Sequence, residues 1–203
     1  MARSRSLTPR AIARSVAKLT AMQAQLRVEL QRVEPLIWRR ILVPENISLP
    51  KLHSVLLGAM GWQGGHLHEY EIARLRYGVP DEDWPSSEPL NDERRVRLKP
   101  MLEDGLRRFT YVYDLGDYWE HRITVEDLIL PAANAPSVRC LAGENACPPE
   151  DVGGAGGYAD FLDIIRDPNH EEHAGMLKWI GGSFDPAAFD VAEVNERLAT
   201  YKV

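Results

Sequence analysis

Apolar and polar positions alternate along this chain with two periods, and the change of period marks its elements. In "QLRVELQRV" (residues 25–33), Leu26, Val28 and Leu30 alternate with Arg27, Glu29 and Gln31, the signature of a strand with one buried face. Glu34-Pro35 interrupts the pattern and "IWRRILV" resumes it, so two closely paired strands are predicted. The period then lengthens in "SLPKLHSVLLGAMGW", where Leu52, Val55, Leu56, Ala59 and Met60 share one helical face, with Ser48 placed to cap it and Gly61 to end it. "HLHEYEIARLRYG" predicts one further strand, "RRVRL" a short one, and "RRFTYVYDL" with "WEHRITVEDLIL" a hairpin around Gly116-Asp117, Gly116 being the residue suited to positive φ.

Residues 131–157, rich in Pro, Gly and Ala, predict a loop. Three short helices should follow, with apolar stripes at Tyr158, Phe161, Leu162 and Ile165, at Met176, Leu177 and Ile180, and at Val191, Val194 and Leu198. Strands first with one helix among them, then a helical tail, predict an α+β fold with a mainly antiparallel sheet. The opening strand–strand–helix–strand order suits a β-grasp-like sheet.

Charge divides the chain in two. Residues 1–23 hold Arg3, Arg5, Arg10, Arg14 and Lys18 and no acid, a local +5 that leaves −11 on the remainder of a chain of net charge −6. The arm has a helical pattern, with Thr8 as cap, Pro9 at the first position and Ile12, Val16 and Leu19 on one face. We therefore divide the chain into a basic arm, residues 1–23, and one α+β domain, residues 24–203. An acidic body repels phosphate backbones, so nucleic acid is expected only at the arm, and a protein partner suits the rest better. No run approaches the roughly 20 apolar residues that span a bilayer. Two cysteines are too few for a disulfide framework and predict a cytoplasmic setting.

Candidate chemistry gathers on imidazoles and thiols. In "HLHEY", strand spacing puts His66 and His68 on one face about 7 Å apart, a start towards a zinc-like site. In "YDLGDYWEHRI" (residues 113–123), alternation sends His121 inward with Trp119 and Ile123, while Glu120 points away. Asp114, Gly116 and Asp117 have the chemistry of a turn tip. Cys140 and Cys147 sit in one loop with six residues between them, wider than a zinc-knuckle arm. His170 and His173 fall on one face if helical, without the H-E-x-x-H spacing. These seven, His66, His68, His121, Cys140, Cys147, His170 and His173, are the candidate ligands of a divalent metal such as zinc. "YGVPDEDW" could show Asp81, Glu82 and Asp83 to a hard cation. "GGAGGY" matches a dinucleotide fingerprint only formally and reads as a flexible hinge, so no nucleotide is expected. No nucleophile–base pair is legible, and no catalytic residue can be named.

Five ordered segments carry a family resemblance: "PLIWRRILVPENISLPKLHSVLLGAMGWQGGHLHEYEI", "YGVPDEDW", "YDLGDYWEH", "CLAGENACPPEDVGG" and "DPNHEEHAGMLKWIGGSFDPAAFDVAEVNERL". Together they resemble the plasmid pRiA4b ORF-3-like family, found on plasmids and mobile elements, some of whose members carry the resolvase label TnpR. The likeness covers residues 25–198 and implies an α+β domain without an established activity. The resolvase label fits poorly here. A serine recombinase needs a nucleophilic Ser among clustered Arg and a DNA-reading helix-turn-helix, and Ser15 and Ser54 sit on helical patterns without that setting. The sequence thus favours a non-enzymatic binding or interaction module, with a metal-dependent hydrolase as its competitor.

Overall fold

A computed structural model describes residues 21–80 and 89–201. The helical expectation for the basic arm and the acidic stretch at residues 81–83 lie outside the described residues. Eight strands form one sheet in the order β5-β4-β3-β6-β7-β1-β2-β8, antiparallel except between β4 and β5. The protein is α+β, as the pattern of elements predicts.

β1 (Gln23–Leu30) and β2 (Trp38–Pro44) pair with Leu26 opposite Ile41. Ala24, Leu26, Val28 and Leu30 are buried on the inner face. The outer face carries the alternate residues, and their charges cancel across strands. Glu29 receives Arg27 and Arg122, Glu126 receives Arg40, and Glu120 receives Arg32. One face therefore meets water while the other makes the core, as an antiparallel sheet permits.

α1 (Leu49–Met60) buries eight residues against this inner face. Pro50 opens it and Gly61, left-handed at φ 99°, closes it by donating its N–H to the Leu57 carbonyl. Ser48 stands at the cap position, yet its side chain makes no capping bond. The chain then enters β3, which reaches β1 only through β6 and β7.

The expected single strand over 66–78 is a hairpin, β3 (His68–Ile72) and β4 (Leu75–Gly78). Its turn uses Ala73 and Arg74, both left-handed, with no Gly, Asn or Pro to announce it. The expected strand "RRVRL" is instead the end of a 3₁₀ turn, Glu93–Arg95, and the start of α2 (Leu98–Glu103), after a short β5 (Leu90–Asp92). Only Arg97 bridges, to Ser48, and with the Leu49–Val96 and Leu98–Ile47 bonds it fastens this turn to the start of α1.

β6 (Arg108–Tyr113) and β7 (Trp119–Ile129) form the predicted hairpin, with Tyr111 opposite His121. The left-handed positions of its turn are Asp114 and Tyr118, not Gly116. The predicted loop at 131–157 contains a further strand, β8 (Arg139–Glu144), on β2. Gly143 has to be small there, because a Cβ would lie 2.6 Å from the Phe189 ring and 2.8 Å from Arg39.

The three predicted helices are present as α3 (Gly154–Arg166), α4 (His173–Ile180) and α5 (Val191–Ala199). α3 buries Ile164 more deeply than Ile165, α4 buries no residue fully, and Val191 of α5 is exposed. α5 packs on α1 and β8, and its Asn195 both donates to the Cys140 carbonyl and accepts the Cys140 N–H. Among the described residues no helix is long and apolar enough to cross a membrane.

Candidate functional site

A band of imidazole and phenol rings lies between α1 and the inner face of β3, β6 and β7. His53 of α1 stacks on His68 of β3, ring centroids 3.6 Å apart and planes 5° from parallel. His68 donates from Nε2 to Oε1 of Glu93 at 3.0 Å. Glu93 is fully buried, delivered there by the 3₁₀ turn, and its Oε2 has no hydrogen-bond partner among the described residues. Burial, with His68 adding repulsion, lowers the His53 pKa to about 3, and burial raises that of Tyr111. A neutral imidazole thus meets a protonated phenol, and His53 Nδ1 and the Tyr111 hydroxyl share a hydrogen bond of 2.7 Å. Tyr70 donates to the Leu49 carbonyl.

His121 continues the band. It is fully buried, its Nδ1 lies 3.3 Å from the Tyr111 carbonyl, and its Nε2 is without a partner among the described residues. Trp62 meets it edge-on at 5.4 Å and burial lowers its pKa to about 4. A neutral imidazole in an aromatic box is a packing element with one spare nitrogen.

The band opens at one end onto carboxylates. His66 stands in the loop before β3 with Nδ1 3.4 Å from Asp114 and Nε2 3.3 Å from Asp151. One donor atom from each of the three residues can be chosen so that all lie within 4.8 Å of one another. The loops that carry them are braced. Asp114 Oδ1 accepts the N–H groups of Gly116 and Asp117, fixing the other oxygen towards His66. Asp117 accepts the Gly153 N–H, and Gly154 packs so closely that a Cβ would fall 2.4 Å from the Asp117 carbonyl oxygen. The glycine run is thus a point of close approach rather than the flexible hinge its composition suggested. Glu150 accepts from Gln63 N–H, Gly64 N–H and the Tyr113 hydroxyl, tying the His66 loop to the Asp151 loop.

Next to this mouth lies a cleft of about 720 Å³ between the Trp62 loop, residues 146–151 and the α4–α5 region. Phe184, Phe189 and Trp179 supply apolar walls, and Arg39 and Arg197 lie among its lining. The Arg39 guanidinium is spent on the carbonyls of Trp38, Ala59, Glu144 and Asn145. Burial raises the Cys147 thiol to about 12, so it stays protonated.

Of the seven candidate ligands, only His66 joins a group of three donors among the described residues. His68, expected to share its face with His66, turns to Glu93 and His53 instead. Cys140 and Cys147 are free thiols, Cys140 donating to the Ala142 carbonyl. His170 lies in the turn before α4, where Nδ1 accepts the Glu172 N–H, while His173 bonds the Ile164 carbonyl, so the two do not form a helical pair. His53, Glu93, Glu150 and Asp151 were missed. His53 had a signal, since it shares a helical stripe with Leu49, Leu56, Leu57 and Met60.

These features define the class: an α+β protein with one helix-covered antiparallel sheet and a histidine–carboxylate mouth beside a cleft. The model of the plasmid pRiA4b ORF-3-like protein family matches residues 22–193, and the chain belongs to that family. It is 42% identical over 182 residues to the uncharacterized protein y4hQ of Sinorhizobium fredii (strain NBRC 101917 / NGR234), covering 89% of this chain and 92% of that one. The crystal structure of MM3350 from Methanosarcina mazei Go1, a protein of unknown function, is similar with a TM-score of 0.78 and 31% identity, over 85% of this chain and 97% of that one.

Proposed function

We propose that the chain is a non-enzymatic binding module whose ligand occupies the cleft beside Trp62. The observation that carries this reading is the cleft itself, whose volume of about 720 Å³ is that of a small-molecule site with aromatic walls. Its reactive groups are held in unreactive states: the Cys147 thiol is protonated, and the Arg39 donors are engaged with backbone. Glu150, Asp151, Asp190 and Glu193 among the lining outnumber the two arginines and favour an apolar ligand bearing a positive charge. The free thiols support a cytoplasmic workplace.

A thermal-shift panel of aromatic amines and matched aromatic carboxylates tests this reading. Amines should raise the melting temperature, and Trp179→Ala, at a half-exposed ring, should abolish the rise without unfolding the protein. Stabilisation by carboxylates alone, or chemical turnover of a bound amine, would refute it.

A further inference from the structure

We propose that His66, Asp114 and Asp151 hold one first-row divalent cation of the Mn²⁺ or Zn²⁺ kind. The site goes beyond the cleft reading, although Asp151 belongs to both.

Geometry is the first ground. Ligand atoms about 2.1 Å from one ion stand about 3 Å apart at right angles and about 4.2 Å apart when opposite. A donor from each of the three residues falls within 4.8 Å of the other two, and an ion that takes one ring nitrogen leaves the other facing the second aspartate, Nδ1 being 3.4 Å from Asp114 and Nε2 3.3 Å from Asp151. The three donors come from three different loops, two of them anchored by a neighbouring carboxylate and the third by Asp114 Oδ1 itself. Glu150 holds the Gln63–Gly64 backbone, and Asp117 holds Gly153. Outer groups of this kind orient ligands in metal centres.

Charge is the second and independent ground. On the outer face of the sheet Glu29, Glu120 and Glu126 each receive an arginine, and Glu69 receives Arg76. At the mouth, Asp114, Asp117, Glu150 and Asp151 gather with no lysine or arginine in ion-pair distance among the described residues, and one imidazole stands among them. Asp114 is, besides, nine-tenths buried. Asp114 and Asp151, which flank one ring, lack the arginine counter-charge that Glu29, Glu69, Glu120 and Glu126 receive on the sheet. A divalent cation supplies it, and the imidazole turns the choice from Ca²⁺ or Mg²⁺ towards Mn²⁺ or Zn²⁺.

The test titrates Mn²⁺ into untagged protein stripped with chelator, following the electron paramagnetic resonance signal of free Mn²⁺. One Mn²⁺ per chain should bind and be displaced by one equivalent of Zn²⁺ but not of Ca²⁺. Asp114→Asn and Asp151→Asn should each weaken binding about tenfold or more. Asp163→Asn, at a largely exposed side chain, should leave it unchanged. Asp151 is exposed, so its variant keeps the test readable if Asp114→Asn fails to fold. Absence of stoichiometric binding to folded wild type, or binding unchanged in Asp151→Asn, would overturn the proposal. Trp179→Ala should retain Mn²⁺, so loss of the metal site and loss of the cleft reading register separately.

Discussion

His66 and the three histidines of the ring band have opposite surroundings. His53, His68 and His121 lie in the ring band, where partners are phenols, carbonyls and one buried carboxylate. His66, only two residues before His68, stands about one-third exposed between two aspartates. Desolvation dominates the first group and keeps His53 and His121 neutral. His66 instead has two carboxylates and water beside it. The difference shows that an imidazole's role here follows from what its loop or strand brings against it, and that spacing in "HLHEY" says little about it.

The comparison can be broken most forcefully at His68. Replacing it with Ala strands Glu93 as an uncompensated buried carboxylate and should cost about 3–5 kcal/mol in a urea-unfolding measurement. A loss below 1 kcal/mol would mean that Glu93 is not held by this ring. His121→Ala empties a packed position and should cost about 1–3 kcal/mol, with no change in bound metal. Release of a stoichiometric ion by that variant would move His121 out of the structural group.

Acid should act on the same group. His53 and His121 titrate at about 3 and about 4 in the fold against 6.5 when free, so on acidification the unfolded chain takes up protons first. Stability is therefore complete above about pH 6.5 and erodes as pH falls from there towards 4 and 3. By pH 5 the loss should be on the order of 1–2 kcal/mol per imidazole. Urea midpoints at pH 7.5 and 5.0 measure it, and His121→Gln should flatten the difference. At the mouth the effect on folding should be smallest. His66→Ala removes a one-third-exposed ring and its contacts with Asp114 and Asp151, and should cost less than about 1 kcal/mol in the absence of metal.

The α+β class, the β1–β2 pair, α1, the β6–β7 hairpin and the three late helices were legible because each repeats an apolar period over enough residues. The β3–β4 turn was not, because Ala73 and Arg74 adopt left-handed conformations without turn residues. β8 was hidden because its burial depends on Gly143 lying against Phe189 and Arg39, a contact without a local pattern. The inward course of His121 could be read from alternation. The mouth could not, since Asp114, His66 and Asp151 meet only through the tertiary closing of three loops. "PPEDVGG" offers no clue that Asp151 reaches a histidine 85 positions earlier.

The bond between Asn195 and β8 has a consequence for how these molecules coexist at high concentration. β8 ends the sheet, and an open edge presents N–H and C=O groups on which a second molecule can add a strand. The Asn195 amide takes both groups of Cys140, as a partner strand would. One side chain thereby covers these two groups of the edge, and Asn195→Ala should expose them and self-associate more than the native chain in sedimentation runs at equal concentration.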